Sequence, residues 1–166
     1  MENNTCCFIG HRTIEETEKL KFQLKSIIEM LIMKEHVNTF LFGSKSRFND
    51  LCHELVSNSM QNYPFIKRVY VRAEYPNIDE NYKRYLLNDY EETYYPDKIR
   101  GAGRAVYVER NYEMIRNSKY CVFYFKNGEN SKSHKSGTKT ALDMKNKKFC
   151  PVCEAKRLLH KAFVNA

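Results

Sequence analysis

Residues 6–12 read Cys-Cys-Phe-Ile-Gly-His-Arg. A short apolar run stops at Gly10, and a titratable and a cationic side chain follow at once. Glycine lets a ligand approach the backbone closely and permits positive φ. Arg12 can grip a phosphate or carboxylate through two parallel hydrogen bonds. His11 can donate to an anion or move a proton. The plainer alternative is a turn at Gly10, with His11 satisfying a local carbonyl and Arg12 in solvent. Two further stretches repeat the logic. Residues 42–50, Phe-Gly-Ser-Lys-Ser-Arg-Phe-Asn-Asp, place Gly43, Ser44, Lys45 and Ser46 around a helix start. Ser46 also reads as an ordinary N-cap. Residues 135–141, Lys-Ser-Gly-Thr-Lys-Thr-Ala, place Ser136, Gly137 and Thr138 where they can cap a helix and hold a phosphate. A helix N-terminus offers free N–H groups and a positive dipole end to such an anion. None of the three is a Walker A loop or a complete GxGxxG.

These turns need strands before them and helices after them. Residues 5–10 form a buried-strand pattern ending in glycine. From Ile14 to about Lys34 the spacing of Leu20, Leu24, Ile27, Ile28 and Leu31 predicts a helix. A second strand follows at 37–43. The next helix carries Phe48, Leu51, Cys52, Leu55 and Val56 on one face. Residues 65–73 predict a third strand. Residues 105–115 predict a helix with Val108, Tyr112 and Ile115 as its stripe, and 120–125 a fourth strand. A helix is expected again from Thr138, and a last strand and terminal helix after 149. Alternating strands and helices give βαβ units, a mainly parallel sheet and helices on both faces, an α/β fold in three layers. Residues 74–103 interrupt the rhythm with Pro76, Pro96 and many tyrosines. A segment this long is often a lid or binding loop. Tyrosines 75, 82, 85, 90, 94 and 95 are read as packing the segment down, with base stacking as the alternative.

Taken together and in this order, the stretches from 6–12 through 42–48, 68–76, 108–118 and 136–141 resemble the GHR-bearing bacterial branch of the SLOG superfamily. Those are Rossmann-like domains that bind nucleotides or nucleotide-derived ligands. The resemblance covers most of residues 4–144 and implies a doubly wound sheet of strand order 3-2-1-4-5. It implies a ligand in the crevice between the first and fourth strands, held by Gly10, His11, Arg12, Ser136, Gly137 and Thr138. Gly43 and Ser44 would line the base or ribose side. Related phosphoribohydrolases carry a catalytic glutamate after their glycine-threonine loop. Here Lys139, Thr140 and Ala141 follow Thr138, so cleavage by that route is not expected. His11 and Glu109 are the candidates for acid–base work, with Glu74 as a further carboxylate.

Composition bounds the rest. The chain has 166 residues, enough for one domain with a real core. Residues 1–148 read as that domain and 149–166 as a C-terminal tail. No apolar run reaches the roughly 18 residues of a membrane span, and no basic stretch precedes an apolar one near the start. A cytoplasmic location, no membrane partner and no cofactor are expected, with homo-oligomerisation left open. Of six cysteines, four lie in apolar patterns and are expected as free, buried thiols. The Cys150–Cys153 pair lacks a second pair at zinc-finger spacing, so no metal site is expected. Residues 1–100 are nearly neutral, with 14 Lys and Arg against 15 Asp and Glu. Residues 101–166 hold 14 against 5. That basic part leads to an expectation of weak, salt-sensitive binding to nucleic acid without sequence preference. The leading reading is a nucleotide-ligand binder, as sensor or processing domain. The alternatives are a nucleotide-processing hydrolase (an N-glycosidase or phosphohydrolase) and a nucleic-acid-binding module.

Overall fold

The computed structural model describes residues 4–124. The Ser136–Thr138 loop, the helix expected after it, the Cys150–Cys153 pair and the 149–166 tail lie outside the described residues. Within them runs a parallel sheet of five strands: β1 (Thr5–Gly10), β2 (Thr39–Phe42), β3 (Lys67–Val71), β4 (Glu92–Tyr94) and β5 (Tyr120–Tyr124). Their order is β4-β3-β2-β1-β5, and each neighbouring pair is parallel. The helices are α1 (Glu18–Met33), α2 (Arg47–Ser59), α3 (Glu80–Leu86) and α4 (Val106–Arg116).

The pleat divides the strand residues between two cores. Cys6 and Phe8 of β1, Phe40 and Phe42 of β2, and Val122 of β5 face one way, onto α1 and α2. Cys7, Ile9, Leu41, Val71 and Phe123 face the other way, onto Met114 of α4. This is the three-layer, doubly wound arrangement expected from the sequence. The expected 3-2-1-4 order of the first four strands is present, with the predicted fourth strand as β5. The fifth expected strand falls outside the described residues. Cys6, Cys7, Cys52 and Cys121 are buried free thiols. Among the described residues no helix is long and apolar enough to cross a membrane.

Four local expectations are corrected. First, β4 extends the sheet beyond β3, inside the segment read as a long loop. Three residues are too few to show a strand period. Neighbours fix its place: the Thr93 hydroxyl donates to the Tyr70 carbonyl at 2.9 Å, and Lys67 pairs with Glu92 at 2.7 Å. Second, the same segment holds α3, whose N-cap Asp79 accepts from the Asn81 N–H at 2.8 Å. Tyr82, Leu86 and Tyr90 pack into the α1/α2 core, while Tyr75, Tyr85 and Tyr94 stay exposed. Third, α1 begins at Glu18 and not at Ile14. The Thr17 hydroxyl accepts from the Leu20 N–H at 3.1 Å and sets the start. Fourth, the fully buried positions of α4 are Val106, Arg110, Glu113 and Met114, while the expected stripe of Val108, Tyr112 and Ile115 is half-buried, with Ile115 packed against the core beside Met114. Two of the four inward positions are charged, so hydrophobic periodicity selected the neighbouring face.

Gly10 marks where α2 meets the sheet. It lies on the α1/α2 side at the end of β1, and a Cβ there would overlap the Phe48 ring. Phe48 in turn stacks on Tyr124, the last residue of β5, with ring centroids 5.5 Å apart. Phe48 is fully buried and cannot swing into solvent. We therefore expect Gly10→Ala to lower stability by about 1–3 kcal/mol, the usual cost of overpacking a filled core. A urea-unfolding midpoint equal to that of the parent would contradict this packing.

Candidate functional site

All five strands run the same way, so their C-terminal ends form one edge. Gly10 lies opposite Tyr124, and Phe42 opposite Tyr70. The loops leaving β1, β2 and β3 therefore emerge side by side. Strand order reverses between β1 and β5, because β1 is followed in the chain by β2 on one flank and neighboured by β5 on the other. Ligands of doubly wound sheets bind at such a switch point, outside the carboxyl ends of the strands.

The loop after β1 does not run straight into α1. It curls over the N-terminus of α2, where the Arg12 carbonyl accepts from the Arg47 N–H at 2.9 Å. Glu16, further along the loop, pairs with the Arg47 side chain and pins the curl from outside. His11 is half-buried and sets its ring edge-on to Tyr124, centroids 6.2 Å apart. The Arg12 side chain is exposed. Gly10, His11 and Arg12 are thus gathered at the β1/β5 end of the edge. Their expected counterpart, Ser136, Gly137 and Thr138, lies outside the described residues.

The turn after β2 is tied internally. Gly43 N–H donates to Asn49 Oδ1 at 3.4 Å, and Ser46 Oγ accepts from the Asn49 N–H at 3.2 Å. Ser46 is therefore the N-cap of α2. The Ser44 and Ser46 hydroxyls lie 2.9 Å apart. Two N–H groups of the first turn of α2, those of Arg47 and Asn49, are already engaged by protein oxygens. Lys45 is exposed and holds its ammonium 4.8 Å from the centre of the Tyr82 ring.

From the other face comes a residue that sequence reasoning missed. Arg110 of α4 is 5% exposed. Gly43 makes room for it: a Cβ there would lie 2.8 Å from Arg110 Cδ, 2.9 Å from its Nε and 2.6 Å from Met114 Sδ. The guanidinium thus rests against the backbone at the end of β2. Its Nε and Nη2 both donate to the side chain of Asn111, its neighbour in sequence, at 3.2 Å. Among the described residues no carboxylate balances its charge. Glu113, three residues on and 3% exposed, is taken by Arg116 at 2.7 Å and approached by Lys98 at 3.6 Å. Burial pushes the Arg110 pKa down, opposed by the phenols of Tyr70, Tyr82 and Tyr107. An arginine stays charged even so. A charge held dry without a counter-ion is costly, and such groups cluster where a ligand completes the pairing.

The carboxylates sort differently. Glu74 accepts from Arg72 Nε at 2.7 Å and Nη2 at 3.0 Å, and from the Asp79 N–H at 2.6 Å. It braces the segment after β3. Glu109 is half-buried on α4, next to Arg110 in sequence. A charged residue at an inward helical position, one turn before Met114, was the one sequence signal that pointed to Arg110. No protein-family model matches the chain, and no curated protein matches it.

Replacing Arg110 by methionine keeps the aliphatic bulk and removes a charge that has no carboxylate partner among the described residues. We expect Arg110→Met to raise stability by about 1–4 kcal/mol, as when buried ionic groups give way to packed apolar ones. A lower midpoint in urea would show that the guanidinium is satisfied by the protein itself.

Proposed function

We propose that this chain binds a nucleotide or nucleotide-derived ligand over the C-terminal edge of its sheet, as a sensor or processing domain of the SLOG type. The observation that carries the reading is Arg110, buried against Gly43 with no carboxylate partner among the described residues. A phosphate is the natural complement of a planar, desolvated guanidinium. The switch point between β1 and β5 supports the same place, since the Gly10–Arg12 loop leaves the sheet there and ligands of doubly wound sheets bind at such a point. The chain leaves β5 level with Gly10, and Ser136, Gly137 and Thr138 follow in the sequence. In this reading Arg12 and Arg110 approach the anion from the loop side and the α4 side. Gly10 and Gly43 let Phe48 and Arg110 close onto the strand ends beside it, and Ser44 offers a hydroxyl to the sugar. Polar groups converging on a concave strand edge suit a ligand with one charged end and one flat end.

Native mass spectrometry of protein purified from cells tests this. The expected spectrum shows an adduct of nucleotide mass that is lost in Arg110→Met. Arg12→Ala is expected to weaken the adduct's binding by about 1.5–3 kcal/mol, the range for a hydrogen bond to a charged group. It should leave the unfolding midpoint in place, because Arg12 is exposed. An Arg110→Met protein that keeps the adduct at full occupancy would refute the assignment.

A further inference from the structure

A second concave surface lies further out on the same edge, between the ends of β3 and β4 and the start of α3. It is a cleft of about 450 Å³, within the roughly 300–1,000 Å³ of small-molecule sites. Arg72 forms part of its lining and is 2% exposed. Two of its nitrogens are fully used: Nε and Nη2 donate to Glu74, and Nη2 also donates to the Asp79 carbonyl at 2.7 Å. Nη1 is different. Its acid is Glu80, whose Oε1 stands 3.6 Å away, beyond hydrogen-bond reach. The other oxygen of Glu80 lies 3.6 Å from Lys83 Nζ, and the side chain is 68% exposed. A loosely held carboxylate thus stands between a buried guanidinium and an exposed ammonium. Ile78, Tyr94 and Tyr95 also line the cleft, and Ile78 and Tyr94 keep exposed surface. The Arg100 guanidinium lies 5.7 Å from the centre of the Tyr95 ring.

We propose that this cleft is a separate binding site for a planar aromatic compound that carries an oxyanion, with the oxyanion replacing Glu80 between Arg72 and Lys83. Glu80 is a movable stand-in. Both of its ion pairs are long, 3.6 Å each, and its own side chain is 68% exposed, so releasing it to water costs little. The arriving oxyanion gains the Nη1 donor that Glu80 does not reach, in a charge-assisted bond. The ring packs on Tyr94 and Ile78, covering surface that is now wet. This site does not depend on the function proposed for Arg110.

The test is a backbone-amide NMR titration of the full chain with adenosine monophosphate, with 4-hydroxybenzoate, and with adenosine as the uncharged control. At least one anionic probe should move the amides of residues 78–83 and 93–95, and adenosine should not. A response to the nucleotide alone assigns a phosphate, and to the benzoate alone a carboxylate. Glu80→Gln should tighten binding about two- to fivefold, the weight of an exposed ion pair. Lys83→Glu should weaken it about tenfold, the weight of one charge-assisted hydrogen bond. Arg110→Met should change neither. If neither anion moves these amides, or Glu80→Gln fails to tighten binding, the proposal is wrong. Shifts confined to residues 10–12 and 43–46 would overturn it while leaving the Arg110 site standing.

Discussion

The Arg110 guanidinium lies against the bare backbone of Gly43, and the rest of the edge is arranged around that contact. Withdrawing an unpaired charge from water costs several kcal/mol even after relaxation, against a net folding stability of about 5–15 kcal/mol. The fold tolerates the cost because α4 is anchored elsewhere. Met114 packs into the core with Cys7, Ile9 and Phe123, and Val106 packs with Ala73 and Ile99. Between those two anchors the helix has no freedom to turn Arg110 outward. Glu113 cannot relieve it, being held by Arg116 of the same helix and approached by Lys98 from the turn at 97–99.

Glycine acts at both strand ends, toward opposite faces. Gly10 admits Phe48 of α2 on one side, and Gly43 admits Arg110 and Met114 of α4 on the other. Each lets a helix approach closer to the sheet than a Cβ would allow. Phe48 then links β1 to β5 through Tyr124, the residue that His11 also meets. The Gly10–Arg12 loop is positioned by packing and by the Arg47 hydrogen bond, so its direction is set before any ligand arrives. Loops on a rigid scaffold of this kind are where binding groups are commonly placed.

The layered architecture was legible in the sequence because β1 and β2 are short apolar runs that stop at glycine, and α1 and α2 carry strong helical periodicity. Phe8, Phe40, Leu24 and Leu51 are buried as their spacing predicts. The departures have physical causes. A side-chain hydroxyl, Thr17, overrode an apolar pattern and moved the start of α1. Short elements held by neighbours, β4 and α3, left no period to read. On α4 the fully buried face carries Arg110 and Glu113, and a rule that equates inward with apolar then chooses the neighbouring, half-buried stripe. Gly43 was legible as a turn that bares its backbone. That an arginine from a distant helix fills the space is a tertiary fact, invisible to local pattern. The Ser136–Thr138 loop, to which the sequence assigned half of the anion site, lies outside the described residues.

The role proposed for Arg110 is to hold an anion. Its side-chain Nε–Hε resonance reports this directly, in a titration of the intact protein with inorganic phosphate and with sodium chloride at matched ionic strength. Phosphate should shift that resonance saturably, and chloride should leave it unmoved. A resonance indifferent to phosphate, with the Asn111 hydrogen bond intact throughout, would mean that the charge is balanced within the protein and that the edge is not built around a ligand.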